Sequence, residues 1–137
     1  MQHLRRDDGV QLMRLVVFGG RNYYDFEALE RAMMPYRGHG AALTIISGHA
    51  TGADMLGEKW GAIHRANVLT FPADWRPGGI FDRMAGFRRN QQMIDEGRPD
   101  RAIECPGGNG TADMHRRLVR AGIPIEYVVK PVASLFD

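Results

Sequence analysis

Cysteine is nearly missing from this chain: Cys105 is the only one in 137 residues. A single thiol excludes an internal disulfide and any metal site built from cysteines within one chain, and it suits a reducing compartment. Long apolar runs are also missing. No stretch approaches the roughly 18 residues of a membrane span, and the start, MQHLRRDDGV, carries no apolar signal-peptide core. Neither standard nucleotide fingerprint occurs. GxGxxG is absent after the first apolar run, and no GxxxxGK followed by Ser or Thr exists, so a dinucleotide fingerprint and a P-loop are excluded. The five histidines, His3, His39, His49, His64 and His115, show no metal-ligand spacing. Like charges are not blocked: the formal net charge of +2 arises from basic residues scattered along the chain, so the pI near 9.0 marks no nucleic-acid footprint. The expectation is a small cytoplasmic domain with no membrane segment, no metal and no cofactor.

What is present is enough for one core, with 44% hydrophobic residues. Residues 1–13 read as a loose leader, 14–130 as one nucleotide-binding-type domain and 131–137 as a C-terminal tail. Five short apolar runs recur: LVVF (15–18), LTII (43–46), VLTF (68–71), AIEC (102–105) and IEYVV (125–129). They are near-continuous rather than alternating, the pattern of strands buried on both faces of a parallel sheet. Four stretches of helical spacing lie between them. Asp25 is placed to cap the first, which carries Phe26, Leu29 and Met33. Leu56, Trp60 and Ile63 share a face of the second. Phe87, Gln91 and Ile94 do so in the third, with Gly97 as its stop, and Met114, Leu118 and Ala121 in the fourth, which Gly122 and Pro124 end. This alternation predicts a Rossmann-like α/β fold with a doubly wound, mainly parallel sheet of about five strands flanked by helices.

Right-handed crossovers then collect every strand-to-helix loop at the carboxyl edge of the sheet. Three of those loops are glycine-rich. GGRN supplies Gly19, Gly20, Arg21 and Asn22; SGHATGAD supplies Ser47, Gly48, Gly52 and Asp54; PGGNGTAD supplies Pro106, Gly107, Gly108, Asn109, Gly110, Thr111 and Asp113. Each opens a helix whose first N–H groups lack intrahelical partners and carry partial positive charge, and glycine lets a phosphate approach them. The region 72–97 begins as a Gly- and Pro-rich loop over this crevice and ends in a helix carrying Arg88, Arg89 and Asn90. Positive charge near a helix start opposes the macrodipole unless an anion is present. Thr51 and Asp54 form a T-x-x-D capping-box-like start, so Asp54 reads as a cap or as a carboxylate for ribose hydroxyls. Cys105 reads as a small buried hydrophobe, and Glu104 as an acid near the end of an interior strand that needs solvent or an arginine. Trp75 is placed either to stack on a base or to anchor its loop.

In combination these stretches resemble the SLOG superfamily, and within it the small phage and bacterial proteins called YspA or cpYpsA-related. The resemblance is carried by VVFGGRNYYD, SGHATGADMLGEKW, FPADW, AGFRRNQQMID, AIECPGGNGTADM and AGIPI, across about residues 14–128. It implies a Rossmann-like fold and a nucleotide or nucleotide-derived ligand such as ADP-ribose or a nucleoside monophosphate. It also implies a homo-oligomer, a dimer being favoured. The LOG branch of the superfamily hydrolyses nucleoside 5′-monophosphates to free base and ribose 5-phosphate. Its RKxxM motif corresponds to Arg89–Met93, which gives its arginine a match at Arg89. Its PGGxGTxxE motif corresponds to Pro106–Met114, where Met114 stands in place of the acid. A thioether neither carries a carboxylate's charge nor takes a proton. The expected role is therefore binding, as a sensor or accessory protein. The alternative is a nucleotide hydrolase using Arg89 with Asp113 or Asp54. A single-stranded nucleic-acid module is the weakest reading, because the aromatics follow core periodicity rather than lining a basic groove.

Overall fold

A computed structural model describes residues 12–129; residues 1–11 of the expected leader and the whole of the expected tail, 131–137, lie outside the described residues, while Met13, read as the end of the leader, opens the first strand. Five strands form one sheet: β1 (Met13–Phe18), β2 (Leu43–Ser47), β3 (Asn67–Thr70), β4 (Arg101–Glu104) and β5 (Ile125–Tyr127). Their order is β3-β2-β1-β4-β5, and every adjacent pair is parallel. Four helices join them: α1 (Phe26–Ala32), α2 (Ala53–Ile63), α3 (Ala85–Asp95) and α4 (Asn109–Arg120). The chain winds outward through β2 and β3, then returns to the other side of β1 for β4 and β5. This Rossmann-like reversal opens a crevice beyond the carboxyl ends of β1 and β4.

The apolar runs are continuous because both faces of the central strands are covered. On β1, Leu15 and Val17 pack with Leu29, Met33, Leu43, Ile45 and Trp60 on the face covered by α1 and α2. Val16 and Phe18 pack on the opposite face with Ile46, Met93, Met114 and Leu118, under α3 and α4. Asp25 caps α1 as expected, its carboxylate accepting from the Ala28 amide at 3.1 Å. Met114 is buried core, 1% exposed.

Several expectations need correction. The third apolar run forms β3 over 67–70, and all four residues are exposed, because β3 is an edge strand with one hydrogen-bonded neighbour. The last run is strand only over 125–127. Ile63 and Ala121 are exposed. Around α2 the buried residues are Ala53, Asp54, Gly57, Trp60 and Gly61, a face rotated from the Leu56–Trp60–Ile63 line. At the end of α3 it is Arg98, not Gly97, that takes positive φ (51°). Gly97 instead allows close contact, since a Cβ there would lie 2.2 Å from the Met93 carbonyl oxygen. Among the described residues, no helix is long and apolar enough to cross a membrane.

Candidate functional site

The three glycine loops meet at the crevice through one residue. The Gly20 amide donates to the Pro106 carbonyl at 2.9 Å, and the Gly20 carbonyl accepts from the Ala53 amide at 3.0 Å. One residue of the first loop thereby ties the second loop to the third. Such contact demands bare backbones on either side. A Cβ on Gly52 would stand 2.2 Å from the Gly20 oxygen, and one on Gly107 would stand 2.6 Å from the Gly20 nitrogen. Gly52 also takes φ 79° and ψ −128°, a conformation open essentially to glycine alone.

Other glycines face open space. Gly108 is the N-cap of α4 with no side-chain cap bond, and added carbons at Gly108 or Gly110 would meet nothing within 4 Å. The first amides of α4 have no intrahelical partners, and they open onto a cleft of about 370 Å³. Phe18, Met93 and Met114 contribute apolar lining to it.

Arg21, Arg83 and Arg89 line the same cleft, with Asp54 the one carboxylate among its lining residues. Arg89 reaches it from the first turns of α3. Its guanidinium donates to the Gly48 carbonyl at 2.5 Å and to the Phe71 carbonyl at 3.4 Å, and its Nε donates to Asn90 Oδ1 at 3.2 Å. Burial lowers its pKa, and Asp54 beside it works in the opposite sense. The Arg21 guanidinium lies 5.2 Å from the centroid of the Trp75 ring, which stacks on Phe81 at 6.3 Å from the long loop. Trp75 thus lines the cleft and anchors the loop at once. Arg83 has no hydrogen-bond or ion-pair partner among the described residues.

Asp54 is 6% exposed. It does not form the expected capping box: the N-cap of α2 is Gly52, and Asp54 Oδ2 turns back to accept from the Ala50 amide at 3.2 Å. Burial pushes its carboxyl up from 3.8 to about 6, against the lowering effects of the Ala50 amide and of Arg89.

Of the residues singled out in the sequence, Gly19, Gly20, Arg21, Asp54, Arg89, Asn90, Gly108, Asn109, Gly110 and Thr111 all line the cleft. Others fall elsewhere. Asn22 sits on an exposed turn. Ser47 is fully buried, donating to Glu58 at 2.7 Å and accepting from the His49 amide at 3.0 Å, while the His49 ring pairs with the same carboxylate. Gly48, Gly52, Pro106 and Gly107 act through backbone contacts behind the lining. Asp113 turns away toward α3, accepting from Arg117 at 2.8 Å and from Asn90 at 3.0 Å. Arg88 pairs with Asp82 rather than with an anion shared with Arg89. Glu104 meets neither solvent nor arginine as its main partner but His115, at 2.7 Å. Cys105 is fully buried, and burial pushes its thiol up to about 12, which removes it as a nucleophile. Sequence reasoning missed Arg83. Its position in the loop over the crevice was readable, but the direction of its side chain was not.

Comparison with known proteins agrees with the architecture. Residues 13–78 match the family model described as the YspA, cpYpsA-related SLOG family. The match points to a nucleotide-related function. The matched segment spans β1 through the start of the long loop and stops short of Arg89 and the PGGNGT loop. Neither the curated proteins nor the solved structures searched contain a match. Among the described residues, no group of three or more His, Cys, Asp or Glu side chains is placed to hold a metal ion.

Proposed function

We propose that this chain binds a nucleotide or nucleotide-derived ligand of the ADP-ribose or nucleoside-monophosphate type, and that binding rather than turnover is its task. The observation that carries this reading is the convergence of an uncapped α4 N-terminus with three arginines on one cleft. Helix amides and guanidinium groups favour the same ligand group, an anion, and bare glycines let it approach. A ligand phosphate would rest on the amides of the 108–111 turn with Arg89 as counter-charge. The cleft volume lies within the usual range for small-ligand sites. Met114 in the core and Asp113 committed to Arg117 leave the glycine-loop helix without a free acid for glycosidic hydrolysis.

Purified protein incubated with AMP, the other nucleoside monophosphates, ADP-ribose and NAD is expected to show a raised melting temperature with the ligand intact by NMR. Release of free base or ribose 5-phosphate would instead make the protein a hydrolase. No stabilisation by any of these ligands would remove the reading altogether. Arg89→Ala should weaken binding of the stabilising nucleotide at least about tenfold, as expected for losing a charge-assisted contact. Arg88→Ala is the control: its partner is Asp82 and it does not line the cleft, so affinity should stay within about twofold.

A further inference from the structure

An acid in a cleft built for anions requires a reason. Asp54 repels phosphate, is 6% exposed, and has only its Oδ2 engaged, with the Ala50 amide. Its Oδ1 has no hydrogen-bond partner among the described residues, and no ion pair joins it to Arg89, although both groups pack over Gly48. A Cβ on Gly48 would stand 2.7 Å from Arg89 Nη1 and 2.9 Å from Asp54 Oδ2, so the two groups are held side by side by that residue. That oxygen is not one of the fully buried polar atoms left without a partner, and Asp54 lines the cleft, so the oxygen is open to whatever occupies it. The neighbouring cations are directed elsewhere, Arg89 to backbone carbonyls and Arg21 over Trp75, so a ligand hydroxyl entering the cleft would replace water as the donor to this oxygen.

We infer that Asp54 is a specificity-determining residue that accepts hydrogen bonds from sugar hydroxyls of the ligand, so that the cleft selects ribose phosphates over 2′-deoxyribose phosphates. This rests on the reading of the cleft as a nucleotide site. In this reading α4 and Arg89 take the phosphate, and Trp75, whose ring meets Arg21 and Phe81, lines the same cleft. In this reading Asp54, which lines the same cleft, meets the connecting sugar. A carboxylate accepts two vicinal hydroxyls at once and has nothing to offer a missing one, so the discrimination follows from an acceptor left without its donor.

The test compares the four ribonucleoside 5′-monophosphates with their 2′-deoxy counterparts by calorimetric titration. The wild-type protein is expected to prefer the ribose form at least about tenfold, the scale of one hydrogen bond to a charged group. Asp54→Ala should cut that preference below about twofold. Asp54→Asn keeps the side-chain shape and serves if the alanine variant does not fold; it should reduce the preference as well. Equal affinity of the wild-type protein for ribose and deoxyribose forms would overturn the role of Asp54 while leaving the nucleotide site standing. So would a preference that survives in the folded variants. Failure of all eight nucleotides to bind would overturn the inference, and the site with it if ADP-ribose and NAD also fail to raise the melting temperature.

Discussion

Gly52→Ala is expected to destabilise the domain by about 4 kcal/mol or more, enough to lower its melting temperature by over about 10 °C. Two costs add. The native φ of 79° with ψ −128° is denied to a residue with a Cβ, and the new carbon would stand 2.2 Å from the Gly20 oxygen and 2.5 Å from the Arg21 carbonyl carbon. Both contacts are backbone, so no side chain can swing aside to relieve them. The hydrogen bond from the Ala53 amide to Gly20 would break with the clash. Gly108→Ala is the matched control, because nothing lies within 4 Å of its added carbon; its cost should stay under about 1 kcal/mol. Chemical denaturation of both variants measures the difference. Equal stability of the two would mean that the loops are not stitched through Gly20.

Asp54→Asn is expected to do the opposite at neutral pH and make the protein more stable. The carboxyl ordinarily titrates at 3.8 and in the folded chain at about 6, chiefly because it is buried. Around it, the Ala50 amide, Arg89 on α3 and Arg21 on the first loop favour the ionised form, and Glu58 on α2 opposes it. Because the folded state holds the proton more tightly than the unfolded chain, this group's stabilising contribution is complete below about pH 3.8. It is lost as pH rises to about 6, and above that the penalty is constant. At about 1.4 kcal/mol per unit the ionised carboxyl costs the native state about 3 kcal/mol. The asparagine variant removes that cost and keeps an acceptor for the Ala50 amide. Urea unfolding at pH 7.5 should therefore place the variant up to about 3 kcal/mol above wild type, with the gap closing near pH 4. A variant less stable at both pH values would mean that Arg89 and Arg21 more than compensate for burial. An ionised group that weakens its own fold fits a residue kept for a ligand.

The sheet was legible because β1, β2 and β4 are covered on both faces, and a short apolar run with no alternation suits a doubly buried strand better than any solvated element. VLTF looks the same by that measure, yet Val68–Thr70 lie in the exposed edge strand β3 and only Phe71, just past it, is buried. Position in a sheet is a property of topology, which the local pattern does not carry. The site was legible as loops and less so as side chains. Glycine loops after strands announce where the backbone opens, and most of their residues do line the cleft. Direction was lost wherever a partner sits on another element. Ser47 faces Glu58 across a turn, and Arg83 enters the cleft from a loop without periodicity. Asp113 did carry a readable sign, since Arg117 four residues later is placed to pair with it on the helix surface.

The glycines at this crevice belong to two populations that a composition count merges. Gly20, Gly52 and Gly107 separate backbones from one another, whereas Gly108 and Gly110 separate the backbone from whatever enters the cleft. A pool of variants selected only for folding would hold the first three fixed and let the other two drift. The same pool selected for its ligand would hold all five.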